Sequence, residues 1–511
     1  MRCGLWQLLW TGGAAFAAVT TVRFAPVGDA YGDALTVRTE TGMVTGNVGD
    51  GIASFKGIPY ATPPVDSLRW RAPRPAASWP QPLIANDYGP SCTQPLPVRG
   101  VPAGSRAGTA SEDCLTLNVW TLVRHDRPLP VMIWIHGGAN TEGTSGRTLY
   151  DGGHFARDSV ILVSVNYRLG LLGFFAHPSL AREAGSEITA NFGLLDQLAA
   201  IRWVRRNIAV FGGDTNNITV FGESAGGQDI VALLATAPMH GLVQKAIAES
   251  PANGWGDPPT LAVAEREGAQ LATKAGLSGA TATLEQLRAV PATSLVKLAS
   301  LDNTRPILDG KLLTEPPLTA FANGHAADVP LIIGTNSNEG SLIPASARAG
   351  LIFPRLLNLT ALAEIRTHYD PSTDDAAFAR LLFRDGFFAG PVRWIADHGA
   401  AGAPVFLYRF DHVVTQWRAT RPGAGHGSEL PFVFQNWSDP PTDPADKAVD
   451  QAMHSCWVAF AKAGAPTCAG LPNWTPYQPA EGKLMLISGD PGMRGNPVAA
   501  LLDLLEQRLH H

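Results

Sequence analysis

The segment Gly222-Glu223-Ser224-Ala225-Gly226 places a serine hydroxyl between small residues, directly after the apolar run Ile218 to Phe221. The run that follows, Gln228 to Ala237, is compatible with a helix. Small neighbours allow a strand to turn sharply into a helix, and such a turn exposes the oxygen of Ser224 for nucleophilic attack. The pattern predicts a nucleophile elbow. The alternative is an ordinary glycine-rich turn between a strand and a helix.

A second glycine-rich segment, Trp134-Ile135-His136-Gly137-Gly138-Ala139-Asn140, continues another apolar run, Val131 to Ile135. Glycines let the main chain come close to a substrate, where backbone N–H groups can stabilise a developing negative oxygen. The alternative interpretation of this segment alone is a plain glycine-rich turn in which His136 is a structural histidine. The two segments together, in this order along the chain, favour acyl transfer with a serine nucleophile.

A sheet is needed to position these segments. Four apolar runs rich in β-branched residues are typical of buried strands: Val131 to Ile135, Val160 to Val165, Ile218 to Phe221 and Leu331 to Ile333. Thr189 to Phe211 has apolar residues at helical spacing, and strand-helix-strand order predicts an α/β fold with a mainly parallel sheet. The alanine-rich stretch Leu261 to Ala299 is predicted to be helical and to form a cap or insertion near the site.

The composition limits the kinds of partner. The 511 residues are 45% hydrophobic and 16% charged, with a formal net charge of −5, as in ordered globular proteins. No long run of either charge sign is present, so the sequence offers no basic surface for nucleic acid and no polybasic arm for anionic lipid. We expect a small-molecule substrate. Because no repeat or linker divides the chain, we predict one catalytic domain over residues 31–511.

The first thirty residues have the order of a signal peptide. Arg2 precedes an apolar run from Leu5 to Val22, and Ala15-Phe16-Ala17 has small residues at the spacing of a signal-peptidase site. We predict a signal peptide over residues 1–30, with cleavage between residues 17 and 30, and a secreted or periplasmic protein. The alternatives are a buried N-terminal helix and an uncleaved anchor. No later stretch is apolar and long enough to predict a membrane span in the mature chain.

Removal of that leader would leave an even number of cysteines: Cys92, Cys114, Cys456 and Cys468. Four cysteines allow three disulfide connectivities, and pairing of neighbours along the sequence is the local choice. Each such bond would stabilise the fold by roughly 2–4 kcal/mol. The alternative is four buried free thiols.

Further segments carry a resemblance to a known family. They are Phe55-Lys56-Gly57-Ile58-Pro59-Tyr60-Ala61 with Pro63-Pro64, Ser111-Glu112-Asp113-Cys114-Leu115-Thr116-Leu117-Asn118-Val119, Asn166-Tyr167-Arg168-Leu169-Gly170, Asn191-Phe192-Gly193-Leu194-Leu195-Asp196-Gln197 and Phe211-Gly212-Gly213-Asp214. With the two glycine-rich segments, they resemble the type-B carboxylesterases, the family of the cholinesterases and neuroligins, over nearly the whole mature chain. The resemblance implies an α/β-hydrolase fold: a large, mostly parallel central sheet with helices on both faces and cap insertions.

The resemblance also identifies partners for Ser224. The family's acid lies in a stretch present here as Gly334-Thr335-Asn336-Ser337-Asn338-Glu339-Gly340, and its histidine begins His426-Gly427-Ser428-Glu429-Leu430-Pro431-Phe432. Glu339 and His426 are therefore the expected acid and base, in the chain order Ser, acid, His that this fold uses. The mechanism implied is hydrolysis of a carboxylic ester through an acyl-enzyme, with no cofactor and no metal.

The family pattern assigns further roles. The oxyanion would accept hydrogen bonds from the N–H groups of Gly138, Ala139 and Ala225, each worth roughly 3 kcal/mol. Cys92 with Cys114 matches a family disulfide. Ser250 matches a serine behind the triad, and Trp255 falls near the family's acyl pocket, although it is equally well a core or surface aromatic residue.

Two features bear on specificity. Most relatives have a third glycine and then an aromatic residue where this chain has Ala139 and Asn140, which predicts a more polar and more crowded pocket rim. Glu223, beside the nucleophile, matches the family and is expected to tune the local field or to hold a structural hydrogen bond. Alternative functions are hydrolysis of bulky multi-ester or amide substrates and a non-catalytic binding domain like that of the neuroligins.

Overall fold

The computed structural model describes residues 34–185, 187–343, 359–399 and 401–509, so the predicted signal peptide over residues 1–30 lies outside the described residues. The strands are β1 Ala34–Arg38, β2 Met43–Gly49, β3 Ile52–Pro59, β4 Leu83–Ile84, β5 Ser91–Cys92, β6 Ala110–Ser111, β7 Thr116–Leu122, β8 Leu129–Ile135, β9 Ile161–Val165, β10 Gly213–Glu223, β11 Lys245–Glu249, β12 Leu331–Asn336, β13 Val405–Phe410, β14 Lys483–Ile487 and β15 Gly492–Gly495.

Thirteen of these strands form one sheet in the order β1-β2-β3-β7-β9-β8-β10-β11-β12-β13-β14-β15, with β4 beside β2. Neighbours from β9 through β14 pair in parallel, whereas β1, β2, β3, β7 and β15 pair in an antiparallel manner at the two ends. The predicted large, mostly parallel sheet is confirmed. Because the central strands run in one direction, the loops that leave their carboxyl ends meet along one edge.

The helices, in chain order, are α1 Gly153–Arg157, α2 Gly170–Gly173, α3 Pro178–Ala184, α4 Phe192–Asn207, α5 Ala225–Leu234, α6 Leu261–Lys274, α7 Leu284–Arg288, α8 Ala292–Leu298, α9 Pro317–Ala322, α10 Leu359–Arg366, α11 Asp375–Phe383, α12 Gly390–Gly399, α13 Leu430–Phe434, α14 Pro444–Ala463 and α15 Ala499–Leu509. A π-helical segment, Arg384–Ala389, joins α11 to α12.

Alternation along β8 shows how these helices cover the sheet. Val131, Ile133 and Ile135 belong to an apolar core shared with α4 and α5, whereas Met132 and Trp134 belong to a second core shared with α1 and α14. Successive strand residues point to opposite faces, so both faces of the sheet are buried under helices. This double burial explains why the central strands are continuous apolar runs.

The observed elements extend the predicted ones. Helix α5 begins at Ala225, three residues before the predicted start, so the turn from β10 into the helix consists of Ser224 alone. The stretch predicted to be helical between Leu261 and Ala299 forms α6, α7 and α8. Among the described residues, no helix is long and apolar enough to cross a membrane.

Two disulfides adopt the sequence-local pairing, one of the three possible connectivities. Cys92 pairs with Cys114 and Cys456 with Cys468, with Cα–Cα distances of 5.0 and 4.7 Å. The first ties β5 to the segment before β7, and the second holds the chain after α14 against that helix. Disulfides of this kind are consistent with an oxidising compartment.

Candidate active site

Ser224 stands alone between β10 and α5, with φ of 57° and ψ of −121°. Non-glycine residues rarely adopt such a conformation, which costs of order 1–3 kcal/mol and needs firm support from the surroundings. Part of that support is the hydrogen bond from Ser224 N to Glu249 O at 2.9 Å. A Cβ on the neighbouring Gly222 would lie 2.6 Å from Ile135 O, so the turn requires a glycine at that position.

The loop after β8 packs against this turn. A Cβ on Gly137 would lie 2.7 Å from Glu223 Oε2 and 3.1 Å from Ser224 Cβ. Gly138, Ala139 and Asn140 all have positive φ, at 112°, 54° and 57°. The loop therefore follows a left-handed path directly beside the nucleophile.

That path orients the N–H of Ala139. The carbonyl of Gly138 accepts hydrogen bonds from Thr141 N at 3.0 Å and Glu142 N at 3.1 Å. Since a trans peptide directs its C=O and N–H to opposite sides, the N–H of Ala139 points away from this turn. Among the described residues, the N–H groups of Gly138, Ala139 and Ala225 donate to no backbone carbonyl, which leaves them able to bind a ligand oxygen.

The acid and the histidine come from loops beyond β12 and β13. His426 Nδ1 lies 2.6 Å from Glu339 Oε2. The other carboxylate oxygen, Glu339 Oε1, accepts hydrogen bonds from Ser250 Oγ at 2.5 Å and from Asn336 N at 2.7 Å. Glu339 is fully buried, and these three donors leave it one orientation, facing the histidine ring.

The two loops are joined to each other as well. Asn338 and Gly425 form a parallel bridge, and His426 N donates to Ser341 Oγ at 3.0 Å. His426 Nε2 lies 3.0 Å from Glu223 Oε1, although Glu223 Oε1 accepts no hydrogen bond. In the described part of the chain no hydrogen bond joins Ser224 Oγ to His426, so that link of the predicted triad is not formed in this structure.

Four buried glutamates, Glu223, Glu249, Glu339 and Glu429, form one electrostatic group with the histidine. Burial raises the pKa of Glu429 to about 8, and it also raises the pKa values of Glu223 and Glu249. Burial lowers the pKa of His426, but the carboxylates of Glu223 and Glu339 outweigh this and raise it to about 10. The site therefore favours the imidazolium that His426 forms when it accepts a proton.

One sequence-based expectation requires correction. Asn140 does not make the pocket rim polar, because it is buried and its amide points inward. Its Nδ2 donates to Asp229 Oδ1 at 3.0 Å, and its Oδ1 accepts from the hydroxyl of Tyr167 at 3.1 Å. The hydrogen bond to Asp229 thus holds the side chain of Asn140 toward α5 instead of toward solvent.

Trp255 is mostly buried and packs against α12. Its ring contacts Trp394 of α12 edge-on, with centroids 6.1 Å apart, and the adjacent Gly254 N donates to Phe387 O at 3.2 Å. The segment that carries Trp255 is thus bonded to the π-helical segment.

The sequence reasoning missed Phe388 and Asp229. The ring of Phe388, from the π-helical segment, lies 5.3 Å from that of His426, centroid to centroid. No local pattern indicated this contact. Asp229 is fully buried on α5, and burial raises its pKa to about 7. The sequence signal that could have identified Asp229 is the presence of a carboxylate within an otherwise apolar helix.

No group of three or more His, Cys, Asp or Glu side chains in the described ranges is arranged to hold a metal ion. Within the described residues, the arrangement found instead is a half-buried serine at a strained turn, a histidine oriented by a carboxylate, and backbone N–H groups that donate to no backbone carbonyl. This is the chemistry of acyl transfer.

Comparisons with known proteins agree with this chemistry. The model of the carboxylesterase family matches residues 33–503. A para-nitrobenzyl esterase of Bacillus subtilis (strain 168) is 36% identical over 490 residues, covering 90% of this chain and 96% of that protein. A fumonisin B1 esterase of Sphingopyxis macrogoltabida is 34% identical over 504 residues, covering 91% and 89%. A solved PNB esterase structure superimposes with a TM-score of 0.81 at 35% identity, covering 92% of this chain and 99% of that one.

Proposed function

The chain belongs to the carboxylesterase family and is an enzyme of the type-B carboxylesterase class, and we propose that it hydrolyses carboxylic esters through Ser224, His426 and Glu339. The observation that carries the proposal is the 2.6 Å contact between His426 Nδ1 and Glu339 Oε2, together with the strained turn that holds Ser224. A carboxylate on Nδ1 leaves Nε2 as the nitrogen that accepts a proton.

In the proposed reaction, Ser224 Oγ attacks the ester carbonyl carbon while its proton passes to His426 Nε2. The N–H groups of Gly138, Ala139 and Ala225 stabilise the resulting oxyanion, each by roughly 3 kcal/mol. Collapse of the intermediate breaks the bond to the alcohol oxygen, which takes the proton from His426. A water molecule, activated by the same histidine, then releases the acid from Ser224.

This mechanism requires Ser224 Oγ to come within hydrogen-bond reach of His426 Nε2, which in this structure lies 3.0 Å from Glu223 Oε1. Free enzymes often form such a bond only when the substrate binds.

Ser224→Ala tests the proposal, because a methyl group replaces the nucleophile without leaving a buried charge. We expect p-nitrophenyl ester hydrolysis to disappear with circular dichroism unchanged, and a fluorophosphonate probe to label Ser224 in the wild-type enzyme alone. A variant that keeps more than about a hundredth of the wild-type kcat would refute Ser224 as the nucleophile.

A second substrate class, bulky multi-ester compounds, is favoured by the similarity to a fumonisin B1 esterase. Hydrolysis of p-nitrophenyl esters of increasing acyl length, compared with fumonisin B1 and with matched amides, distinguishes the classes. A kcat/KM for fumonisin B1 at least as high as for the best simple ester would support the bulky class, and the reverse ranking would support a general esterase.

We also propose that the protein is exported. The leader-like residues 1–30 and the two disulfides support this proposal. N-terminal sequencing of the protein recovered from the periplasm or medium tests it. A mature terminus between residues 17 and 30 is the expected result, and an intact Met1 in the cytoplasm would contradict it.

A further inference from the structure

The two parts of the proposed oxyanion hole come from separate segments of the chain. Gly138 and Ala139 lie in the loop after β8, whereas Ala225 is the first residue of α5. The spacing between these segments sets the distance between the N–H donors. An interaction that joins the residue after Ala139 to α5 would therefore control the geometry of the hole.

The bond between Asn140 and Asp229 is such an interaction. Asn140 Nδ2 donates to Asp229 Oδ1 at 3.0 Å, and Asp229 lies one helical turn after Ala225. Asn140 is adjacent to Ala139 in the chain. A single buried hydrogen bond thus spans both halves of the hole.

Two further residues hold this pair in place. Gln197 Nε2, from α4, donates to Asp229 Oδ2 at 2.6 Å. The hydroxyl of Tyr167 contacts both Asn140 Oδ1 at 3.1 Å and His136 O at 2.7 Å. All five side chains of the network, including that of His136 stacked on Tyr167, are buried, so a lost partner would leave a buried polar group shielded from bulk solvent.

The backbone beside the pair needs this support. Ala139 and Asn140 both have left-handed conformations, with φ of 54° and 57°, and L-residues keep such conformations only when their surroundings enforce them. Outside the side-chain network, Asn140 O accepts a hydrogen bond from Gly170 N at 2.6 Å, and Ala139 O accepts a weak one from Thr304 Oγ1 at 3.4 Å.

Resting on the proposed ester hydrolysis, we propose that Asn140 and Asp229 are a positioning pair that sets the distance between the two halves of the oxyanion hole. Neither side chain touches the substrate. Because the hole binds the oxygen most tightly in the transition state, loss of the pair lowers kcat and leaves KM nearly unchanged.

Exchange of the two side chains is the decisive test. Asn140→Asp places two carboxyl groups face to face, and we expect kcat to fall by about tenfold to a hundredfold with KM changed less than threefold. In Asn140→Asp/Asp229→Asn, the new amide at position 229 donates to the new carboxylate at position 140. The hydroxyl of Tyr167 still has an oxygen acceptor at position 140, and the amide of Gln197 still has one at position 229. We expect this double variant to recover kcat to within about threefold of the wild type.

For the single variant Asp229→Asn we expect a smaller loss of kcat than for Asn140→Asp. Gln197 Oε1 is buried and has no hydrogen-bond partner among the described residues, so a flipped Gln197 can accept from the new amide while Asn140 keeps its acceptor. We expect a loss of kcat below about fivefold. If Asn140→Asp does not fold, Asp229→Ala, which removes the acceptor without adding charge, is expected to lower kcat about tenfold.

A matched pair elsewhere in the chain provides the control. Asn191 is also buried and left-handed, with φ of 58°, and its Nδ2 donates to Asp309 Oδ2 at 3.1 Å. Asn191→Asp is expected to lower the melting temperature at least as much as Asn140→Asp while changing kcat less than twofold. Equal losses of kcat in the two variants would show a general effect on stability and overturn the positioning role.

Two results separate this inference from the proposed function. An inactive wild-type enzyme would refute ester hydrolysis, whereas an active wild type with an unimpaired Asn140→Asp variant would refute only the positioning pair. Hydrogen–deuterium exchange over residues 136–144 tests positioning without any substrate. We expect faster exchange there in Asn140→Asp than in the wild type or Asn191→Asp, and unchanged exchange would overturn the inference.

Discussion

The acid half of the site, around Glu339 and His426, and the oxyanion half, around Ala139 and Ser224, are held by different kinds of interaction. In the acid half, one buried carboxylate, that of Glu339, is held by short hydrogen bonds with two side chains and one backbone N–H. In the oxyanion half, the proposed oxyanion donors are backbone N–H groups, and their positions depend on residues with positive φ at Ala139, Asn140 and Ser224.

This difference determines which substitutions each half tolerates. The acid half depends on charge and on donor–acceptor matching, so a change of one atom type is harmful even when shape is conserved. The oxyanion half depends on backbone geometry, so the side chain of Ala139 is dispensable but its φ and its N–H are not.

The largest effect is expected in the acid half. Glu339→Gln keeps the shape but cannot stabilise the imidazolium, so we expect kcat to fall by about 10³-fold to 10⁴-fold. Glu429→Gln is the control, because Glu429 is a buried glutamate near His426 that bonds to Asn336 instead of to the histidine. Measurement of kcat for both folded variants tests the assignment. A greater loss of kcat in Glu429→Gln than in Glu339→Gln would show that Glu339 is not the acid.

In the oxyanion half, Ala139→Pro removes the N–H and imposes a φ near −65° where the structure has 54°. We expect kcat to fall at least about a hundredfold, as for a lost oxyanion donor. Ala139→Gly is the matched control: it keeps the donor and accepts the positive φ, so activity should stay within about tenfold. Full activity in a Pro variant that circular dichroism shows to be folded would place the hole elsewhere.

Ser250→Ala makes a smaller change in the acid half. It removes one of the donors to Glu339 Oε1 but leaves that of Asn336 N. Since a hydrogen bond to a charged group is worth about 1.5–3 kcal/mol, we expect kcat to fall by about tenfold to a hundredfold. Ser428→Ala is the control, because Ser428 Oγ is buried beside the site without a partner; comparable losses in both variants would argue against a role of Ser250 through Glu339.

The smallest effect concerns pH. A base must be unprotonated to act, so kcat/KM should rise with pH through the pKa of His426, which the structure raises above its usual value of about 6.5. Glu223→Gln removes a charge that raises this pKa, and the acid limb should move to lower pH by roughly one unit. An unmoved limb would mean that Glu223 already holds a proton in the working enzyme.

The sequence predicted the central strands and the elbow because their signals are local. An apolar run followed by Gly222-Glu223-Ser224 needs no knowledge of distant residues. The resemblance to a family was required for Glu339 and His426, which are 87 residues apart. Without it, Glu339 was one of 44 acidic residues and His426 one of 13 histidines.

The orientation of Asn140 was wrongly predicted for the same reason. Its neighbours in the sequence suggested that Asn140 lies at the rim of the substrate pocket. Asp229, 89 residues away in the sequence, instead determines which way its amide points. The contact of Phe388 with His426 depends on a π-helical segment, which has no simple sequence signature. Long-range contacts, more than local propensity, decide these positions.

The contrast between local disulfides and distant site residues bears on the synthesis of the protein. The disulfides span only 22 and 12 residues, so each can close soon after its second cysteine is available. Glu339, its partner Ser250 and His426 meet only after β12 and β13 have joined the sheet. Ser250 and Glu339 alone are 89 positions apart in the sequence. The bond between Cys92 and Cys114 can thus form in an unfinished chain, whereas ester turnover reports a chain that has been translated past His426 and folded around it.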